Sequence, residues 1–297
     1  MKTIFLIFLT SFFTIAIAQN KQSYQIFNQK GKKVCYKNII NSSQKSDVLL
    51  FGEYHDNSVA HWLELEITKD LIDKKNLVLG AEMLEADNQK QVNQYLKAEI
   101  NQKKLDSTAR LWPNYKTDYK PLVDFAKENN LAFVATNIPR RFASLVFKNG
   151  FEALNKLSDE EKTWVAPLPI LFDATLPGYV KMVQEMGGHG GENLPKAQAV
   201  KDATMAYFIN KNRTENSFFI HYNGSYHSNN FEGIYWYLKQ QNQNLKIITI
   251  ATVSQKDISK LEAENYNKAT FIIVIDEDVT KTYQLHKMKF YFLLIFH

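Results

Sequence analysis

The sequence predicts an α/β protein, with a mostly parallel central sheet flanked by helices and one helical, glycine-rich insertion. Three observations lead there. Six short apolar runs rich in β-branched and aromatic residues recur along the chain, most segments between them carry helical spacing, and the stretch 173–196 breaks both patterns. Continuous apolar runs bounded by turn residues fit strands buried on both faces. Their alternation with helices fits a parallel sheet covered on both sides.

Residues 1–18 open with Met1 and Lys2, run apolar from Ile4 to Ile17 and close on Ala16, Ile17 and Ala18 ahead of Gln19. A positive start, a short apolar stretch and an A-x-A site are the parts of a signal peptide. The run falls short of the roughly 20 apolar residues a spanning helix needs. Cleavage after Ala18 is expected, leaving a single α/β domain over 19–284 and an apolar tail over 285–297 to which no role is assigned. The single cysteine, Cys35, lies well beyond the apolar run. No lipoprotein cysteine therefore stands at the cleavage point, no intramolecular disulfide can form, and the core alone must hold the fold. An exported product, periplasmic or secreted, follows from this reading.

The first apolar run, 47–51, is followed by the cap-type residues Asp56 and Ser58. Val59, Trp62, Leu63, Glu66 and Ile67 come next, with apolar positions at i, i+3 and i+4, which predicts a helix. The run 76–79 precedes a predicted helix over 89–98, and a second over 119–129 leads into the run 131–135. The segment 173–196 holds Pro177, Gly178, the cluster Gly187-Gly188-His189-Gly190-Gly191 and Pro195, which favour a flexible insertion. Long irregular segments inside compact domains are usually functional or disordered. A helix over 198–209, with Val200, Met205 and Phe208, precedes the last runs, 217–222, 245–252 and 270–275. The formal charge of +5 comes from scattered lysines, with no basic stripe interleaved with aromatics, so nucleic-acid binding is excluded as a reading.

Four of the runs lead directly into polar residues. The first opens into Gly52-Glu53-Tyr54-His55-Asp56 and the fourth into Gly224-Ser225-Tyr226-His227, both Gly-x-x-His. The second opens into Gly80-Ala81-Glu82-Met83 and the third into Thr136-Asn137-Ile138-Pro139-Arg140-Arg141. Parallel α/β sheets bind their ligands at the carboxyl ends of strands, so these groups are expected to converge. Imidazole and carboxylate together suit zinc and redox metals, and a spare carboxylate can act as base toward a metal-bound water. Glu53, His55, Glu82 and His227 would form that set. Their alternative is a buried hydrogen-bonded network that pins the strand ends. Arg140 and Arg141 suit the carboxylates of a haem or an acidic substrate, or else pair with nearby glutamates at the surface of a helix.

Taken in order, Gly52-Glu53-x-His55, Gly80-x-Glu82-Met83, Ala197-Gln198 with Asp202 and Met205-Ala206, and Gly224-x-x-His227 resemble the ChaN-like haem-binding uptake family of the Tiki/TraB/erythromycin-esterase superfamily. The resemblance covers about 46–252. It implies an exported haem-binding protein in haem or iron uptake or trafficking, with tyrosine on the iron, homodimers enclosing the haems and outer-membrane uptake machinery as partner. Relatives in the wider superfamily imply the alternative, a metal-dependent hydrolase or peptidase built on the paired Gly-x-x-His motifs and using zinc or manganese. Under the haem reading, Tyr179 is the expected iron ligand and His189 its support, because a phenolate can hold ferric haem and a hydrogen-bond donor helps a phenol to ionise.

Overall fold

The computed structural model describes residues 21–185 and 191–283. The expected leader at 1–18, His189 and the tail at 285–297 lie outside the described residues. Among the described residues seven strands form one sheet: β1 (Tyr24–Asn28), β2 (Val48–Glu53), β3 (Asn76–Glu85), β4 (Ala132–Asn137), β5 (Ser217–Gly224), β6 (Ile247–Gln255) and β7 (Phe271–Asp276). Their spatial order is β1-β7-β6-β2-β5-β3-β4, and only β1 runs antiparallel to its neighbour. The α/β fold expected from the sequence is the one observed.

Among the described residues ten α-helices surround the sheet. They are α1 (Tyr36–Ser43), α2 (Ser58–Ile72), α3 (Gln89–Leu96), α4 (Gln102–Thr108), α5 (Lys120–Glu128), α6 (Arg140–Asn149), α7 (Asp159–Lys162), α8 (Pro177–Glu185), α9 (Asn193–Asn212) and α10 (Ile234–Gln241). Side chains alternate across a strand, and β2 shows it cleanly. Leu49 and Phe51 join Leu63 and Ile67 of α2 and Leu122 of α5 in one core layer. Val48 and Leu50 face the other way, onto Val146 of α6, Val200 of α9 and Leu238 of α10. Burying a side chain of this size contributes roughly 1.5–3 kcal/mol, so both layers are needed to hold the sheet. Among the described residues no helix is long and apolar enough to cross a membrane.

The chain lays down β2, β3 and β4 and then returns to insert β5 between β2 and β3. This return brings the carboxyl ends of three strands side by side, the usual place for a ligand in an open α/β sheet. Each of the six expected strands exists, and several extend further at the carboxyl end than their apolar runs. Glu53, Glu82, Asn137 and Asn223 are polar and yet belong to the sheet. On α2 the cap is Asn57, whose side chain accepts from Val59 N and Ala60 N. The inward stripe of that helix is Ala60, Leu63, Ile67 and Leu71, whereas Trp62 lies outside and packs edgewise on Tyr24 at 6.2 Å. Within the expected insertion, α8 is a regular helix and α9 already begins at Asn193.

Candidate functional site

Glu53, at the end of β2, points into the layer covered by α2 and α5. Its Oε1 accepts from Tyr119 Oη at 2.8 Å and meets His55 Nδ1 at 2.7 Å. Its Oε2 lies 2.6 Å from His61 Nε2, an ion pair rather than a well-aligned hydrogen bond. His61 and Glu64 come from α2; Asp118 and Tyr119 come from the π-helical turn Tyr115–Tyr119 that leads into α5. Asp118 Oδ1 is 3.5 Å from His61 Nδ1, and its Oδ2 accepts from Asn114 Nδ2 at 2.6 Å and Thr282 Oγ1 at 2.9 Å.

Burial alone would raise the Glu53 carboxyl, but the charge of His61 and the hydrogen bond from His55 outweigh it and bring its pKa down to about 2. The same pairing lifts His61 well above 6.5 despite its burial. Glu64 is fully buried; burial and the charge of Glu53 push its pKa well above the carboxylate range, so it holds a proton.

Glu82, on β3, points to the opposite layer. Its Oε2 accepts from Gly224 N at 2.7 Å and its Oε1 lies 3.1 Å from His227 Nε2. His227 Nδ1 is 2.5 Å from Asp202 Oδ1 on α9, and Asp202 Oδ2 accepts from Tyr179 Oη of α8 at 3.1 Å. Burial disfavours the imidazolium, yet the two flanking carboxylates raise the His227 pKa to about 9. His227 is therefore a buried cation that joins β3, the turn after β5 and α9. A further buried histidine, His221 on β5, is neutral: burial lowers its pKa to about 4, and its ring meets Thr136 Oγ1 at 2.7 Å and Asn223 Oδ1 at 3.1 Å.

The two Gly-x-x-His motifs interlock. Glu53 stands opposite Gly224 in the β2–β5 register. A Cβ on Gly224 would stand 2.7 Å from His55 Nε2, so the glycine of the second motif is the floor on which the histidine of the first rests. Gly233, at φ +55, approaches the backbone carbonyl of His227 too closely for any Cβ.

The structure thus brings Glu53, His55, Glu82 and His227 to one end of the sheet. Both nitrogens of His227 are engaged by carboxylates, and among the described residues no three His, Cys, Asp or Glu side chains are grouped to hold a metal ion. Tyr179 is 5% exposed; burial and the charge of Asp202 raise its pKa far above 10. Ligation of iron by Tyr179 would first require breaking its bond to Asp202. Tyr54 and Tyr226, by contrast, are 39% and 40% exposed at the ends of β2 and β5. Arg140 and Arg141 open α6 beside the end of β3, and Arg141 Nη1 donates to Asp87 Oδ2 at 2.6 Å.

Sequence reading alone missed His61, Glu64, Asp118, Tyr119 and Lys201. Lys201 is buried on α9 within electrostatic reach of Glu82, Asp202 and Arg140. The one local signal was on α2, where His61 and Glu64 fall at i and i+3 beside the apolar stripe.

Residues 39–238 match the model of a family described as haem-binding uptake, Tiki superfamily, ChaN. Among solved structures, ChaN of Campylobacter jejuni, described with cofacial haem binding, aligns with a TM-score of 0.64 at 17% identity, over 86% of this chain and 98% of that one. A Bacillus cereus protein aligns with a TM-score of 0.50 at 12% identity, over 84% and 93%. At these identities the structural likeness speaks for the fold alone. No curated protein matches the sequence.

Proposed function

This chain belongs to the ChaN haem-binding uptake family of the Tiki superfamily, and from that premise we propose that it is an exported haem carrier in haem or iron uptake, acting without bond cleavage. One observation supports this reading above the others. The buried charges at the strand ends are matched to one another, while the phenols of Tyr54 and Tyr226 remain at the surface of that end.

The residues fit the group. Haem, when bound, supplies a ferric iron that accepts a phenolate and two propionates that accept cations. Tyr226 donates to Glu185 Oε2 at 2.6 Å, and Glu185 immediately precedes the segment that carries His189. The phenol with a proton acceptor in place and an exposed ring is the better iron ligand, so the proposal gives the iron to Tyr226, ahead of the buried Tyr179. Arg140 and Arg141 take the propionates. Export through cleavage near Gln19, a homodimeric carrier and delivery to or from outer-membrane machinery complete the proposal.

Titration of ferric haem into the purified protein, followed by absorption, tests it. A saturable Soret shift is expected, with the phenolate charge-transfer band lost in Tyr226→Phe and retained in Tyr179→Phe. The absence of any saturable shift would refute the haem reading. Metal analysis of the same sample tests the hydrolase alternative, which requires stoichiometric zinc or manganese on Glu53, His55, Glu82 and His227. Mass spectrometry of the N-terminus checks the cleavage.

A further inference from the structure

One short stretch of chain grips α8 at both of its ends. At the start of the helix, Gly178 N donates to Glu232 Oε2 at 2.6 Å. Pro177 has no N–H, so this is the first amide that α8 offers. A Cβ at position 178 would stand 2.6 Å from the same oxygen, and glycine is what lets the carboxylate close on the backbone. At the other end, Glu185 Oε2 accepts from Tyr226 Oη at 2.6 Å. Gly178 and Glu185 are seven residues apart, about 10 Å at a rise of 1.5 Å per residue. Tyr226 and Glu232, six residues apart, span that distance from the side of the sheet.

The backbone between Tyr226 and Glu232 takes an unusual path. Asn230 and Phe231 have φ of +59° and +61°, a region that bulky side chains rarely enter. Such conformations persist only where the surroundings hold them, and they cluster at ligand clamps. Here Asn230 N donates to Lys268 O at 2.7 Å, and the Phe231 ring packs edgewise on Tyr235 with centroids 5.3 Å apart. The turn so held delivers Glu232 to the start of α8.

Apolar packing holds α8 only lightly. None of its residues joins either core layer; Met182 forms a small separate cluster with Leu194 and Phe147. Tyr179 leans on Phe172, with centroids 5.7 Å apart, and donates to Asp202. An element with few buried apolar contacts opens locally more easily than the core, and a helix of nine residues is marginal on its own in water. The polar grips therefore decide where α8 sits. An exposed ring such as that of Tyr226 changes rotamer freely unless its tip is held. Glu185 holds that tip, and it does so as firmly as α8 itself is held.

We propose that Glu232 is a positioning residue for the iron-ligating phenol: acting from the far end of α8, it fixes Glu185 and through it the Tyr226 oxygen, so that the free protein presents a pre-set ligand. The inference rests on the haem reading above and on Tyr226 as the ligand. Fixing a binding group in its bound position before the ligand arrives raises affinity by removing the cost of ordering it.

Ferric-haem titration and hydrogen exchange of α8 in the full chain test it together, on the wild type, Glu232→Ala, Glu232→Gln, Tyr226→Phe and the double variant Glu232→Ala/Tyr226→Phe. In the free protein, Glu232→Ala should speed exchange of the α8 amides roughly ten-fold or more, the value of one charge-assisted hydrogen bond, with the strands unchanged. Its haem affinity should fall by a similar factor. Glu232→Gln keeps an oxygen for Gly178 N and should restore both. In the Tyr226→Phe background, Glu232→Ala should no longer lower the affinity, which a merely structural role would not predict. Urea unfolding verifies that the variants fold; should Glu232→Ala fail, Glu232→Asp, whose carboxylate is drawn back by one methylene, takes its place. Wild-type haem affinity in the folded Glu232→Ala protein overturns the inference and leaves the haem reading intact. An equal loss with and without the Tyr226 hydroxyl overturns it too. The absence of any Soret shift in the wild type removes the haem reading and this inference with it.

Discussion

Raising the pH should remove the charge that joins three elements at the strand ends. His227 is fully enclosed between Glu82 of β3 and Asp202 of α9, with Tyr179 behind Asp202 and with His55 and Lys201 nearby. Burial opposes its imidazolium, but the two carboxylates prevail and set its pKa at about 9, against 6.5 for a free histidine. A pKa raised on folding contributes stability that is fully present below 6.5 and is lost as the pH rises through 9. At 1.36 kcal/mol per pH unit, the interval between those values is worth about 3 kcal/mol. Removing the imidazole instead leaves two buried carboxylates without their cation, at a cost of about 3–5 kcal/mol. Urea unfolding of the wild type and of His227→Gln at pH 6 and pH 10 compares the two. The wild type should lead by several kcal/mol at pH 6, and the lead should shrink by about 3 kcal/mol at pH 10, other titrating groups being common to both proteins. A lead that does not change with pH would refute the doubly paired imidazolium.

The remaining predictions concern the neighbours of that cation. In Gly224→Ala, the new methyl group meets an imidazole held at its far side by Glu53, so the ring cannot swing away freely. A loss of about 1–3 kcal/mol is expected from such overpacking, read from thermal or urea unfolding; an unchanged midpoint would contradict the interlock. Glu64 is buried beside the Glu53 charge and holds its proton, so its raised pKa stabilises the fold only at low pH. Relative to Glu64→Gln, the wild type should lose stability as the pH climbs above about 4.3 toward the folded-state value. Parallel pH profiles for the two proteins would exclude a protonated Glu64.

The apolar runs located six strands because parallel strands covered on both faces have no solvent side to interrupt them. β1 escaped notice for the converse reason: it is an edge of five residues, Tyr-Gln-Ile-Phe-Asn, only two of them buried. The runs also stopped early wherever a polar site residue continued the ladder, as at Glu53 and Asn223. Trp62 misled the reading of α2, since an indole that packs on a sheet edge is indistinguishable in sequence from one in the core. At the site, Gly-x-x-His pointed to both histidines, and Glu82 followed from its place after a strand. The partners that set their charge could not be read so directly. Tyr119 reaches Glu53 from a π-turn more than sixty residues away in sequence, and Asp118 of the same turn lies 3.5 Å from His61 Nδ1. Tyr179 was expected as an iron ligand, and only the packing of α8 against α9 shows that its hydroxyl serves Asp202.

The short edge strand also sets a limit on processing. β1 covers β7 from Tyr24 opposite Ile275 to Asn28 opposite Phe271, and Ser23 O accepts from Asp276 N. A cut after Ala18 spares this strand. A cut only ten residues later would strip it and bare Phe-Ile-Ile-Val-Ile, a continuous β-branched and aromatic row with unpaired backbone groups. Such a row is a template for pairing with another chain, so over-trimming would leave a nucleus for aggregation.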